Sequence, residues 1–288
     1  EFQRRYQGVI ETFGDLGLCG DEDPEEGATL LAESGAADHL DTMLALLRGE
    51  ERRSAGIAAR LADAPDGATR VAYPCLEFLL EQRVVKVLCE LAVDDRPAGA
   101  LALVLGAVAA LLTGVGHPLL PSPHVHYPVA RLIAAAAQQR LPLRRAAIED
   151  GGGDGVSGGS GNGDGGGGGA LSKAREAVPM YLAYLLGAIW RKLREDSAQL
   201  AFFLYVRRSG GGGSEGDAAA TATAVAELDI FSSLLPLMVA SGRTAALARE
   251  ACLVAVSLRD PRVDAFIVNC TVFVPELADR LASLFRAL

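Results

Sequence analysis

Residues 97–116 read PAGALALVLGAVAALLTGVG, and no charged residue occurs between Arg96 and Arg131. About twenty consecutive apolar residues can cross a bilayer, so the run is either a membrane span or a helix enclosed within a protein. The distribution of bulk separates the two. Leu101, Val104, Leu105, Val108, Leu111, Leu112 and Val115 fall on one helical stripe, whereas the opposite face is mainly Ala and Gly, with Leu103 the exception. A lipid-facing helix gains from leucine on every side; a helix pressed between neighbours needs small residues where they approach. No Lys or Arg flanks the C-terminal side to orient a span. The stretch predicts an enclosed helix, with a membrane-embedded helical protein as the alternative.

The same periodicity continues outward on both sides. In CLEFLLEQRVVKVLCELA, residues 75–92, the positions Leu76, Leu79, Leu80, Val84, Val87, Leu88 and Leu91 are spaced for one amphipathic helix, leaving Glu77, Glu81, Gln82 and Lys86 to solvent. Further helices are expected near 37–48, 98–115, 128–140, 172–195, 197–206, 228–240, 244–258, 262–269 and 275–287. No strand-like alternation competes with them. Helices joined by short Pro or Gly turns, with no sheet to cover, predict an all-α fold: an armadillo-like α-solenoid of stacked antiparallel helices, without a clean sequence period. Residues 1–288 read as a single such domain, and a first residue other than Met suggests a piece of a longer protein.

Two tracts break the pattern. GGGDGVSGGSGNGDGGGGG at 151–169 and SGGGGSEGD at 209–217 cannot bury apolar surface to offset their chain entropy and read as flexible, disordered loops. Residues 153–158, GDGVSG, satisfy G-x-G-x-x-G formally, but a phosphate loop needs a strand before it and a helix start after it. A calcium-binding nonapeptide fails because Gly163 stands where the ligand aspartate belongs.

Half the residues are apolar, enough for a sizeable core, and the formal charge is −9. An acidic balance argues against nucleic acid or an anionic membrane, which require a basic footprint. The five cysteines, Cys19, Cys75, Cys89, Cys252 and Cys270, include no C-x-x-C pair and mostly sit among leucines and valines, as buried thiols do in a reducing compartment. NCT at 269–271 fits the glycosylation pattern by chance in this context.

Residues 117–133, HPLLPSPHVHYPVARLI, hold three of the four histidines. His124 and His126 could bind zinc, but no acidic residue or cysteine lies within the segment, and the ligands would have to come from afar, for example Cys89 or His39. A structural corner explains the residues better: Pro118, Pro121 and Pro123 stop one helix, and Pro128 suits the first turn of the next. EDPEE at 22–26 and Asp94–Asp95 read as solvated or helix-capping carboxylates rather than acid/base pairs. Cys252 sits in an apolar stripe with no histidine nearby in sequence. The expectation is therefore of no enzyme: no catalytic residues, no cofactor and no metal, with an unrecognised metal-dependent enzyme as a lesser alternative. The basic clusters RKLR (Arg191, Lys192, Arg194) and Arg207–Arg208 stand out on an acidic chain as candidate partner contacts, or as ordinary solvated faces.

The order of these segments resembles the N-terminal region of the HOOK-interacting proteins of the FHF complex, the FHIP family. The likeness lies in Leu88–Leu91 (LC-x-L), Arg96–Gly99 (RP-x-G), His117–Leu120 (HPLL) and Val125–Val129 (VH-x-PV), in DSAQLAFFLY, in HLDTMLALLRGEE at 39–51, and in the tail from Asn269. The alanines of the 98–115 helix and the long glycine loops depart from it. The resemblance implies a scaffold that joins a HOOK-like coiled-coil adaptor to an FTS-like, catalytically inactive ubiquitin-conjugating-enzyme-like subunit. It further implies a cytoplasmic protein held peripherally on endosomes or other vesicles, with a vesicle-associated small GTPase as a further partner, linking the vesicles to dynein-driven transport on microtubules.

Overall fold

The computed structural model describes residues 1–19, 23–61, 72–139, 169–207, 225–240, 242–275, 278 and 282. The glycine tract at 151–168, the second tract at 209–217 and nearly all of the helix expected at 275–287 lie outside them. The fold is all-α: α1 (Phe2–Cys19), α2 (Pro24–Glu33), α3 (Ala36–Leu61), α4 (Pro74–Glu81), α5 (Val84–Ala92), α6 (Ala100–Gly114), α7 (Pro123–Gln138), α8 (Ala170–Glu195), α9 (Asp229–Ser232), α10 (Leu235–Met238), α11 (Gly242–Ser257) and α12 (Pro261–Cys270). Its buried side chains form one continuous cluster from Phe2 to Ile267.

At the centre lies α6, which packs on α3, α5, α7 and α8. The whole expected stripe, Leu101 to Val115, is buried, and so are Ala100, Ala102 and Ala109 on other sides of the helix, while Leu103 is half-buried. Gly106 allows the closest approach: a Cβ there would stand 3.2 Å from the ring of Tyr181 on α8. Among the described residues no helix is long and apolar enough to cross a membrane. On the far side of α8, the buried face of α11 is small, with Ala245, Ala248, Ala251, Cys252 and Ala255, so these two helices also pack closely.

The continuous helix expected over 75–92 is broken at Arg83, whose φ of 52° is left-handed. The reason is rotational. At about 100° per residue, the buried Leu76 and Leu79 of α4 would point roughly opposite to the buried Val85, Leu88, Cys89 and Ala92 of α5 on a straight helix. A left-handed residue costs about 1–2 kcal/mol, and burial of two apolar sets outweighs it. Val87 and Leu91, expected inside, are half-buried.

Four further boundaries differ from expectation. Helix α1 places Phe2, Val9 and Phe13 inside at helical spacing, a pattern legible in the sequence, and Phe78 of α4 meets Phe2 and Tyr6 edge to face. Helix α2 is capped by Asp23, whose carboxylate accepts the Glu25 amide, and begins at Pro24. Residues 197–206 form a 3-10 turn, Ser197–Phe202, and then a short strand, Tyr205–Arg207 (β1), paired antiparallel with Val225–Glu227 (β2). The helix expected over 228–240 is two single turns, α9 and α10. Trp190 of α8 is fully buried against them, donating its indole N–H to the Ile230 carbonyl at 3.4 Å.

Carboxylates fasten several helix starts. Glu50 of α3, itself buried, accepts the amides of Cys75 (2.8 Å) and Leu76 (3.0 Å) in the first turn of α4. Asp95 accepts those of Gly99 (3.0 Å) and Leu101 (2.9 Å) and so starts α6, with Gly99 in the left-handed region at φ 91°. Glu25 of α2 reaches the Leu171 amide in the first turn of α8. Each satisfies amides that the helix leaves without an internal partner and places negative charge at the positive end of its dipole.

Asp95 yields a test. Burial pushes its carboxyl above the ordinary range, against the pull of the Leu101 and Gly99 amides, Gln139 and Arg175. The folded state therefore holds this proton more tightly than the unfolded one, and its contribution to stability falls as pH rises from about 3.9 through the folded value. Asp95→Asn keeps an acceptor, suits the φ of 51° and removes that slope. In thermal denaturation at neutral pH the Asn variant should melt at or above the parent, whereas Asp95→Ala should lose about 1–2 kcal/mol.

Candidate functional site

The corner after α6 is built by long-range contacts. Arg48 of α3 donates to the Ala110 carbonyl at 3.1 Å near the end of α6, and Gly114 leaves room for its guanidinium. The neighbouring Glu51 accepts the amides of Gly116 and His117, both at 3.0 Å. The chain then turns Leu119 and Leu120 into the core and enters α7 at Pro123, with Ser122 at the N-cap. Pro123, not Pro128, occupies the first turn; Pro128 lies inside α7, buried.

His126 is consequently a packing group. Its Nδ1 lies 2.9 Å from the Leu120 carbonyl, which can only accept, so Nδ1 carries the proton. Its ring stacks on Phe202 at 4.6 Å with an interplanar angle of 11°. The other ligands that a zinc reading called for lie elsewhere. Cys89 is in the core, and His39 accepts from Arg5 at Nδ1 (3.3 Å), its ring set where a Cβ on Gly8 would stand. Among the described residues no three His, Cys, Asp or Glu side chains converge as a metal set.

The corner faces the C-terminal end of α8 across a cleft of about 160 Å³, walled by Leu112, Val115 and Pro118 on one side and Lys192, Asp196 and Gln199 on the other. Two segments kept apart by the sequence reading, HPLL and RKLR, thus meet. On the α8 side of the cleft the polar side chains are already engaged: Lys192 pairs with Glu195 at 3.4 Å, and Asp196 accepts the Ala198 amide (3.1 Å) and the Gln199 side chain (3.0 Å).

The three basic candidates do not form one patch. Arg191 points toward α11 and pairs with Glu250 at 3.1 Å, Lys192 turns into the cleft, and only Arg194 is plainly exposed. Of the second basic pair, Arg208 lies outside the described residues. Asp23 and Glu25 of the EDPEE run are spent on helix starts. Burial pushes the Cys252 thiol up to about 11 and raises that of Cys89 further, so both are protonated at neutral pH and neither is an activated nucleophile.

These placements set two expectations. His126→Ala should cost about 2–4 kcal/mol, because it empties a stacked, hydrogen-bonded site, and His124→Ala about 0.5 kcal/mol; Leu119→Asp should prevent folding by burying an unpaired carboxylate. Denaturant melts rank the three, and metal analysis of the parent should find no stoichiometric zinc. Reversal of Arg191 to Glu should lower stability by about 1 kcal/mol by facing it with Glu250, and R191E/E250R should recover that loss; Arg194→Glu should melt like the parent.

The family described as RAI16-like, retinoic acid induced 16-like protein, has a model that matches residues 75–288. It is a different family from the HOOK-interacting one that the motifs resemble, and the match overturns that resemblance together with the vesicle-transport setting drawn from it. The structure shows why the motifs misled. The LC-x-L step is core, the RP-x-G turn follows the Asp95 cap, and HPLL is a corner, so they encode helix packing rather than partner contacts. The matched span runs from the first turn of α4 through α12 and covers most of the chain: the protein belongs to the RAI16-like family.

Proposed function

We propose that the chain is a non-enzymatic helical scaffold whose helices stack in the manner of an armadillo-like solenoid. The observation that supports it is a relay of long helices in which α1 packs on α3, α3 on α6, α6 on α8 and α8 on α11, with shorter helices beside them. Such an array holds surfaces at fixed separation, and its activity lies in exposed side chains rather than in a pocket. The carboxylates of Glu25, Glu50, Glu51, Asp95 and Asp196 are committed to helix starts and turns, which suits a rigid support better than proton or group transfer. The finer reading takes a coiled-coil protein as the partner that the scaffold holds.

The test is affinity capture of the full-length protein from its own cells without detergent. A coiled-coil protein should co-purify in stoichiometric amount and the complex should survive gel filtration. Recovery of the full-length protein alone, or of a stoichiometric metal with hydrolytic turnover, would sink the scaffold reading.

A further inference from the structure

The outward side of α11 carries apolar bulk where a solvent-facing helix ordinarily carries charge. Leu253 is 71% exposed and Val256 is 42% exposed, and helical spacing puts both on the side of Arg249. Arg249 donates through Nε to the Met238 carbonyl at 3.4 Å, which brings the adjoining Val239, 57% exposed, to the same strip. An apolar strip of this kind left in water marks a contact surface.

Its charge is as distinctive. Arg243 near the start of α11 and Arg259 just beyond its end are exposed, and among the described residues neither is in an ion pair. The nearby carboxylates are held back: Glu250 is drawn to Arg191 on α8, and Asp260 is bound by Arg262 at 2.8 Å. Arg249 therefore lies within the strip, and Arg243 and Arg259 stand near its two ends, on a chain whose formal charge is −9. Met238 takes one of the five guanidinium donors of Arg249, so a fork remains for a carboxylate.

We propose that this strip docks an acidic amphipathic helix of a partner protein. The apolar face of that helix lies on Val239, Leu253 and Val256, one of its carboxylates pairs with Arg249, and Arg243 and Arg259 flank it. The proposal rests on the scaffold reading and says which surface serves it. A helix fits better than a bilayer, because the strip is one helix wide and the acidic chain as a whole is repelled by anionic lipid.

The experiment uses full-length protein and two labelled three-heptad peptides, one of leucine and glutamate and one of leucine and lysine, read by fluorescence anisotropy, with phosphatidylserine-containing vesicles as a third probe. The Leu/Glu peptide should bind and the Leu/Lys peptide should not. Arg249→Glu and Leu253→Ser should each weaken that binding about tenfold with unchanged melting, and Arg249→Glu should gain the Leu/Lys peptide. Equal binding of both peptides, unchanged binding in both variants, or vesicle retention without peptide binding overturns the proposal. If the doubly substituted full-length protein captures its coiled-coil partner as the parent does, the strip is overturned and the scaffold reading stands; if the parent captures none, the scaffold reading itself falls.

Discussion

A helix with no charge on any side cannot face water, and that constraint on α6 organises the molecule. Its large side chains, Leu101 to Val115, fill one side while Gly106 and the alanines admit neighbours on the others. Close packing of this kind makes each buried leucine worth about 2–5 kcal/mol against truncation to alanine. The cost of leaving it uncovered is what draws α3, α5, α7 and α8 around one helix.

Around that core, polar chemistry is used at the ends of helices. The carboxylates of Glu25, Glu50 and Asp95 each meet amides in the first turn of a helix, and Glu51 meets two amides in the turn after α6. Three of these four belong to a helix other than the one they serve, or to a different segment of chain, so they fix how segments are set against each other. A buried amide without a partner costs about 1–3 kcal/mol, and a carboxylate that answers two of them also relieves its own desolvation. The same economy explains His126, whose ring supplies a hydrogen bond to the corner and a stacking face to Phe202.

Much of the fold was legible because amphipathic spacing is local. The enclosed character of 97–116, the helices at 172–195, 244–258 and 262–269, and the capping role of Asp95 follow from residues within a few turns of each other. The spacing of Phe2, Val9 and Phe13 carried the same signal for α1. The break at Arg83 was not legible, because a stripe of Leu76 through Leu91 satisfies one straight helix on paper. Only the positions of α3, α6 and α7 decide that Val85 and Cys89 go inside in place of Val87 and Leu91.

The sequence by itself determined the helical class, the central buried helix, the proline-bounded corner and the acidic net charge, since these depend on composition and on neighbours three or four residues apart. Tertiary structure decided which charges remain for recognition. Glu25 finds its amide 146 residues away, Glu51 finds His117 66 residues away and Arg191 finds Glu250 59 residues away. Pairings over such separations leave no periodic trace in the chain. They draw Arg191 of the most conspicuous basic run into an ion pair with another helix, and leave Arg194 and the strip around Arg249 and Leu253 facing solvent.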